Sequence, residues 1–145
     1  MGYGLGAAIG ASIARPDKKV IDIAGDGSFR MNCTELATAV EYKLPLVVAI
    51  LNNRVLGMVR QWQNMFYDGR YSSTTIDRKT SFVKLAEAFG AIGIKVSKVE
   101  EVDPAIDKAL ASTDTPVLID FEIDMDEKVL PIVPPGAPLD QLIEE

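Results

Sequence analysis

The stretch Val20-Ile21-Asp22-Ile23-Ala24-Gly25-Asp26-Gly27-Ser28 decides the fold when set beside Leu46-Val47-Val48-Ala49-Ile50-Leu51-Asn52-Asn53. Each is a short, nearly continuous apolar run that breaks abruptly into polar residues, the pattern of a strand buried on both faces. A segment of helical character lies between them, so the unit reads as strand, helix, strand, with the strands parallel. In such a sheet Asp26 and Asn53 emerge side by side at the carboxyl ends, where open α/β sheets place their ligands. A carboxylate and a carboxamide there suit magnesium, which takes one or two protein side chains and fills its shell from phosphate and water. Gly25 and Gly27 let the backbone approach a diphosphate closely, and Ser28 adds a hydroxyl.

Outward from this unit the alternation of elements continues. Residues 2–14 are mostly small, with four glycines in the first ten positions. Each glycine weakens a solitary helix by about 1 kcal/mol relative to alanine, so this helix is expected to be buried with backbones close together. Asn32 and Glu35 read as a capping pair for a helix running to about Lys43, with Leu36, Val40 and Leu44 on its buried face. Met58, Trp62, Met65 and Phe66 fall at helical spacing, and spacing alone puts that stripe in the core. Residues 67–79 are polar and form a long loop of the kind that serves as a lid or an interface. Ser81 caps a helix carrying Phe82, Leu85, Ala86 and Phe89, which Gly90 closes. Ile94 and Val96 mark a short strand, and Asp103-Pro104 opens a helix with Ile106, Ala109 and Leu110 on its packed side. Residues 117–123 are the last strand. Asp120, Glu122, Asp124, Asp126 and Glu127 lack the glycine and the terminal glutamate of a calcium loop and read as a solvated strand edge and turn. The expected architecture is α/β, a doubly wound and mostly parallel sheet with helices on both faces. It occupies residues 1–128, followed by a Pro-rich tail over 129–145 that cannot form a core and is expected to pack on this or a neighbouring subunit.

Composition excludes several classes. At 145 residues the chain is one domain, long enough to bury a core. A net charge of −6, with the basic residues scattered, argues against a nucleic-acid partner. The absence of histidine removes Ser-His-Asp chemistry and most catalytic zinc sites. Cys33, the only cysteine, has no histidine to activate it and reads as a packed or partly exposed structural thiol in a reducing compartment. No apolar run approaches the roughly 20 residues that span a bilayer, and no cleavable leader is visible, so the expected location is cytoplasmic.

Gly25-Asp26-Gly27 followed at this distance by Asn52-Asn53 resembles the thiamin-diphosphate motif of the decarboxylase and carboligase superfamily. Further residues narrow the resemblance: Met58-Val59-Arg60-Gln61-Trp62-Gln63, Phe66-Tyr67, Arg70-Tyr71-Ser72 and Leu130-Pro131-Ile132-Val133-Pro134-Pro135-Gly136. In that order they resemble the catalytic subunit of the acetolactate (acetohydroxyacid) synthases, over almost the whole chain. The resemblance implies thiamin diphosphate and Mg2+ as cofactors. By position it implies Asp26, Asn53 and the backbone carbonyl of Val55 as metal ligands, with Gly25, Gly27 and Ser28 at the diphosphate. Met1 and Met58 would meet the cofactor's ring system, and Met58 and Trp62 would border the substrate pocket, Trp62 shaping it for the second keto acid. The implied reaction condenses pyruvate with a second 2-keto acid with loss of CO2, in branched-chain amino-acid biosynthesis. Val55 and Leu56 stand where relatives often carry polar residues, which counts against side-chain roles there but not against a backbone ligand.

The same resemblance places Met1 after the first strand and helix of the cofactor domain, with a pyrimidine-binding domain and a central domain upstream. The glutamate that activates the cofactor belongs to the pyrimidine-binding domain of a partner subunit, and no residue here matches it. This chain therefore carries no assigned catalytic residue and is expected to bind cofactor and metal while being inactive alone. Surfaces left bare by absent domains imply a homo-oligomer, and a regulatory subunit is a further implied partner. Two other readings remain open: a subunit of a different thiamin-diphosphate-dependent carboligase or decarboxylase, and a non-catalytic, self-associating fragment.

Overall fold

The computed structural model describes residues 1–76 and 79–144. Asp77 and Arg78 of the expected 67–79 loop, and Glu145 at the end of the expected tail, lie outside the described residues.

The four apolar runs form one parallel sheet. Its strands are β1 (Ile21–Gly25), β2 (Val47–Asn52), β3 (Ile92–Val96) and β4 (Val117–Glu122), in the order β1-β2-β4-β3. β-branched Val and Ile dominate them, side chains that pack well on a pleated surface. Ile21 stands opposite Val47 and Gly25 opposite Leu51, while Asn52 stands opposite Glu122. Asp26 and Asn53 are therefore each the first residue beyond the carboxyl end of adjacent strands.

Helices cover both faces, unequally. One face carries Ala24, Val48, Ile50 and Leu118 and is packed by α1 (Gly4–Ala14), α3 (Leu36–Glu41) and α5 (Phe82–Phe89). Phe29, at the end of the short helix α2 (Asp26–Phe29), meets Phe82 edge-on at 5.8 Å in this core. The other face carries Val47, Val117 and Ile119 and is packed by α6 (Val102–Ala111) through Ala105 and Ala109. α6 lies chiefly against β3 and β4. At the β1 edge of this face Ile21 and Ile23 stay exposed, Ile23 at 72%.

Several local expectations hold. The Ser81 hydroxyl accepts from the Lys84 amide, and Gly90 closes α5 with φ of 87°. Leu36 and Leu44 are buried and Val40 is partly so. Cys33 is a free, half-buried thiol.

Others are corrected. Asn32 and Glu35 form no capping pair: a 3-10 turn (Cys33–Glu35) precedes α3, no side chain caps either element, and the Asn32 amide is engaged elsewhere. α6 begins at Val102, before Asp103, and its packed side is Ala105 and Ala109, whereas Ile106 and Leu110 are exposed. Small residues let the helix axis come close to the sheet, which pushes the bulky ones to the rim. In α1, Gly4 abuts the Asp22 carboxylate, where a Cβ would lie 2.3 Å from Oδ1. Gly6 and Gly10 instead face open space, so the glycines do not mark a uniformly crowded helix. Asp120 is not solvated: it is buried in β4 and accepts from Asn52 Nδ2 at 2.8 Å. Glu122 is half-buried and pairs with Lys95 at 3.2 Å and with Arg54.

The largest departure is α4 (Gly57–Phe66). Its apolar stripe does not enter the core: Met58 is 48% exposed, Val59 is exposed, and Trp62, Met65 and Phe66 are only partly covered. The one buried residue of this helix is Gln61.

Candidate functional site

The carboxyl ends of β1 and β2 open into a cavity of about 430 Å³. Met1, residues 25–28, Asn53, Val55 and Met58 all line it. The strand register thus brings together eight residues that the sequence singled out from four separate segments.

Asp26 is the buried acid of this cavity. The residue is 1% exposed, and its Oδ2 has no hydrogen-bond partner among the described residues. Burial pushes its carboxyl above the ordinary carboxylate range. A hydrogen bond from the Gly27 amide and the charge of Arg30 pull the other way without cancelling it. A buried acceptor left this way is costly unless a ligand completes it.

Asn53 is oriented by its own loop. Its Oδ1 accepts from the Val55 amide at 3.2 Å, an Asx-type turn made across Arg54, which holds a left-handed φ of 62°. One lone pair of that oxygen remains for a second partner. Val55 pairs with Thr75 in an antiparallel bridge whose hydrogen bonds run from Leu56 to Thr74 and from Ile76 to Arg54. In such a pair the central residue's own N–H and C=O both turn away from the partner. The Val55 carbonyl therefore shares a side with the amide that meets Asn53.

Around these oxygens the backbone is open at one point and tight at the next. No atom lies within 4 Å of where a Cβ on Gly25 would sit, so the cavity itself adjoins that backbone. A Cβ on Gly27 would fall 2.9 Å from the end of the Ile76 side chain and 3.0 Å from that of Leu56, so a larger residue there would have to displace both side chains. Ser28 Oγ accepts from the Gly2 amide at 3.0 Å, which leaves its own hydrogen to donate. Together the buried unpaired carboxylate, the neutral oxygens and the open glycine backbone fit a divalent cation with a diphosphate.

Trp62 is not part of this cavity. It lines a second one, of about 510 Å³, with Met58, Val59, Gln63, Tyr67 and Arg70, and it packs edge-on against Phe66 at 5.8 Å. Met58 borders both cavities, so α4 forms the wall between them.

Sequence reasoning missed Gln61. Its Nε2 donates to the Val129 carbonyl at 3.0 Å and its Oε1 accepts from the Val129 amide at 2.8 Å. Arg60 pairs with Asp126 at 2.7 Å and stacks over Tyr71 at 4.0 Å from the ring centre. These bonds hold residues 126–129 beside the first cavity, which residues 127–129 also line. The available signal was positional: Gln61 lies three residues after Met58 and four before Met65, where the stripe faces inward.

Residues 1–121 match the family described as thiamine pyrophosphate enzyme, C-terminal TPP binding domain. The chain belongs to this family. It is 46% identical over 144 residues to the probable acetolactate synthase large subunit of Methanococcus aeolicus, covering 99% of this chain and 24% of that protein. It is 47% identical to the acetolactate synthase isozyme 2 large subunit of Escherichia coli, covering all of this chain and 26% of that one. With the mitochondrial acetolactate synthase catalytic subunit of Saccharomyces cerevisiae it shares 50% identity over 99% of this chain and 20% of the other. Among solved structures it resembles the thiamine diphosphate-dependent 4-hydroxybenzoylformate decarboxylase of Rhodococcus jostii RHA1. There the TM-score is 0.81 and the identity 38%, over 88% of this chain and 24% of that one. This thiamine pyrophosphate-binding chain thus spans about a quarter of the length of these relatives.

Proposed function

We propose that this chain is the C-terminal cofactor-binding part of an acetolactate synthase, which condenses pyruvate with a second 2-keto acid with loss of CO2. The buried, unpartnered carboxylate of Asp26 at the mouth of two parallel strands carries the reading. Asp26, Asn53 and the Val55 carbonyl hold Mg2+, which relieves the uncompensated burial of Asp26. Gly25, Gly27 and Ser28 meet the diphosphate, Ser28 by donating its hydroxyl hydrogen. Met1 and Met58 pack on the ring system, and Met58 and Trp62 form the substrate side. When bound, thiamin diphosphate supplies the electron sink for decarboxylation and carbon–carbon bond formation. This chain's residues position the cofactor and shape its pocket, while proton control comes from a glutamate on a pyrimidine-binding domain or chain.

Residues 1–128 act as the cofactor domain and 129–145 as a tail packed on this or a neighbouring subunit. The assembled enzyme is a cytoplasmic homo-oligomer serving branched-chain amino-acid biosynthesis, with a regulatory subunit as a further partner, and this chain alone is inactive. Among the described residues no helix is long and apolar enough to cross a membrane. A related decarboxylase is the second reading, which the likeness to the Rhodococcus enzyme favours. The order of residues from Met58 to Trp62 and the Pro134-Pro135-Gly136 tail support the synthase instead.

Calorimetric titration of thiamin diphosphate into the chain, with and without Mg2+, tests the site. Binding that requires Mg2+ and vanishes in a folded Asp26→Ala variant is expected. Metal-independent binding, or unchanged affinity in that variant, would remove Asp26 from the site.

A further inference from the structure

The peptide unit of Gly2 is held from both sides by the loop that follows Asp26. Its amide donates to Ser28 Oγ at 3.0 Å, and its carbonyl accepts from Asn32 Nδ2 at 2.8 Å. Gly2 takes φ of 73°, and a Cβ there would lie 3.0 Å from Met31 Cβ, so the residue is fixed by crowding as well as by its bonds. Met1, one residue earlier, is 72% exposed and lines the first cavity. Its Cε lies 4.0 Å from where a Gly27 Cβ would stand. Nothing packs around an exposed side chain of this kind to hold it, so its position depends on the backbone behind it.

Asn32 makes this clamp at a cost. Its Oδ1 is buried without a hydrogen-bond partner among the described residues, and its side chain caps no helix although it sits at a helix entrance. A carboxamide that forgoes a cap and leaves one end unpaired is spent on its other end, the bond to Gly2.

We propose that Asn32 is a positioning residue for the cofactor. Through the Gly2 carbonyl it fixes Met1 against the ring half of thiamin diphosphate, while Ser28 ties the same peptide to the diphosphate half. The inference rests on the thiamin diphosphate reading of the site. It separates two halves of one ligand: the diphosphate is read by the 25–28 loop, and the ring by a side chain that loop holds in place through Asn32.

The test compares two probes, Mg2+-thiamin diphosphate and Mg2+-inorganic diphosphate, titrated into the chain and its Asn32→Asp variant, which keeps the shape but loses the donor. Methionine-methyl NMR without ligand is recorded alongside, with Met1 retained behind a short upstream tag. The variant is expected to bind thiamin diphosphate about tenfold more weakly, the scale of one hydrogen bond, and inorganic diphosphate within about twofold. The Met1 methyl should move to an averaged, solvent-like shift while those of Met58, Met65 and Met125 stay. Equal weakening for both probes, or an unmoved Met1 methyl, overturns the positioning role. If the parent chain binds inorganic diphosphate but not thiamin diphosphate, the cofactor reading fails with it. If neither probe binds the parent, the methyl spectrum decides the clamp by itself.

Discussion

α4 and α5 are neighbours in sequence and both are one-sided, yet their apolar faces have opposite fates. α5 buries Phe82 and Ala86 completely, is capped by Ser81 and closed by Gly90. α4 has no side-chain cap, leaves Met58 and Val59 exposed and Trp62 partly so, and buries a glutamine. α5 lies flat on the sheet, whereas α4 stands at the sheet's carboxyl edge between two cavities. Periodicity reports that a helix has a preferred face; it does not report whether protein or ligand covers that face. The contrast predicts that changes in α5 act on stability and changes in α4 act on binding.

The largest effect is expected for Phe82→Ala. Phe82 is fully buried against Phe29, with Arg30 over its ring at 5.2 Å, and its loss should cost about 3–5 kcal/mol in chemical denaturation. A loss under about 1 kcal/mol would end the contrast. Gln61→Leu comes next, at about 1–2 kcal/mol, because both Val129 backbone groups lose their partner. The effect is expected to be local, so limited proteolysis should cut faster between residues 123 and 144 while α5 stays protected. Uniform destabilisation would place Gln61 with the core.

Asp22→Asn probes the core-facing side with a charge. Asp22 is buried, and burial raises its carboxyl above the ordinary range. The folded state therefore holds the proton more tightly than the unfolded one. The stability this brings is present in acid and is lost as pH rises through the raised folded value. The asparagine variant should accordingly be more stable by about 1 kcal/mol at pH 7, a gain that shrinks as pH falls into the carboxylate range. A gain independent of pH would mean that Asp22 is not the titrating group. The smallest stability effect is expected for Trp62→Leu, within about 0.5 kcal/mol, although in the complete enzyme it should shift the ratio of products from competing second keto acids. A melting-temperature drop comparable to that of Phe82→Ala would show that α4 is a core helix after all.

Much of this arrangement is legible along the chain because it is encoded locally. Val and Ile runs that end in Gly-Asp-Gly and Asn-Asn give both the strands and the oxygens at their ends, and Ser81 with Gly90 brackets a helix within ten residues. What was not legible depends on partners far away in sequence. Asn32 has the spacing of a cap, but a carbonyl thirty residues earlier takes its amide. Asp120 has the look of a surface acid, but β4 lands between β2 and β3, and its neighbours there close it off. Ile106 and Leu110 look like core residues until Ala105 and Ala109 bring α6 close enough to exclude them.

The strand order carries a consequence for how the chain becomes ordered during synthesis. β4 is the last in sequence of the four described strands and an interior one in the sheet, pairing with β2 some seventy residues upstream. Until residues 117–122 leave the ribosome, β3 has no sheet to join and the β1-β2 pair stands alone, with Val48 and Ile50 lacking half their neighbours. Parallel strands gain little before long loops are closed, so high contact order makes this a late and slow event. The nascent intermediate exposes apolar strands of the kind chaperones bind. The strand that completes the sheet behind the ligand site is thus also the one that covers the open edge of β2.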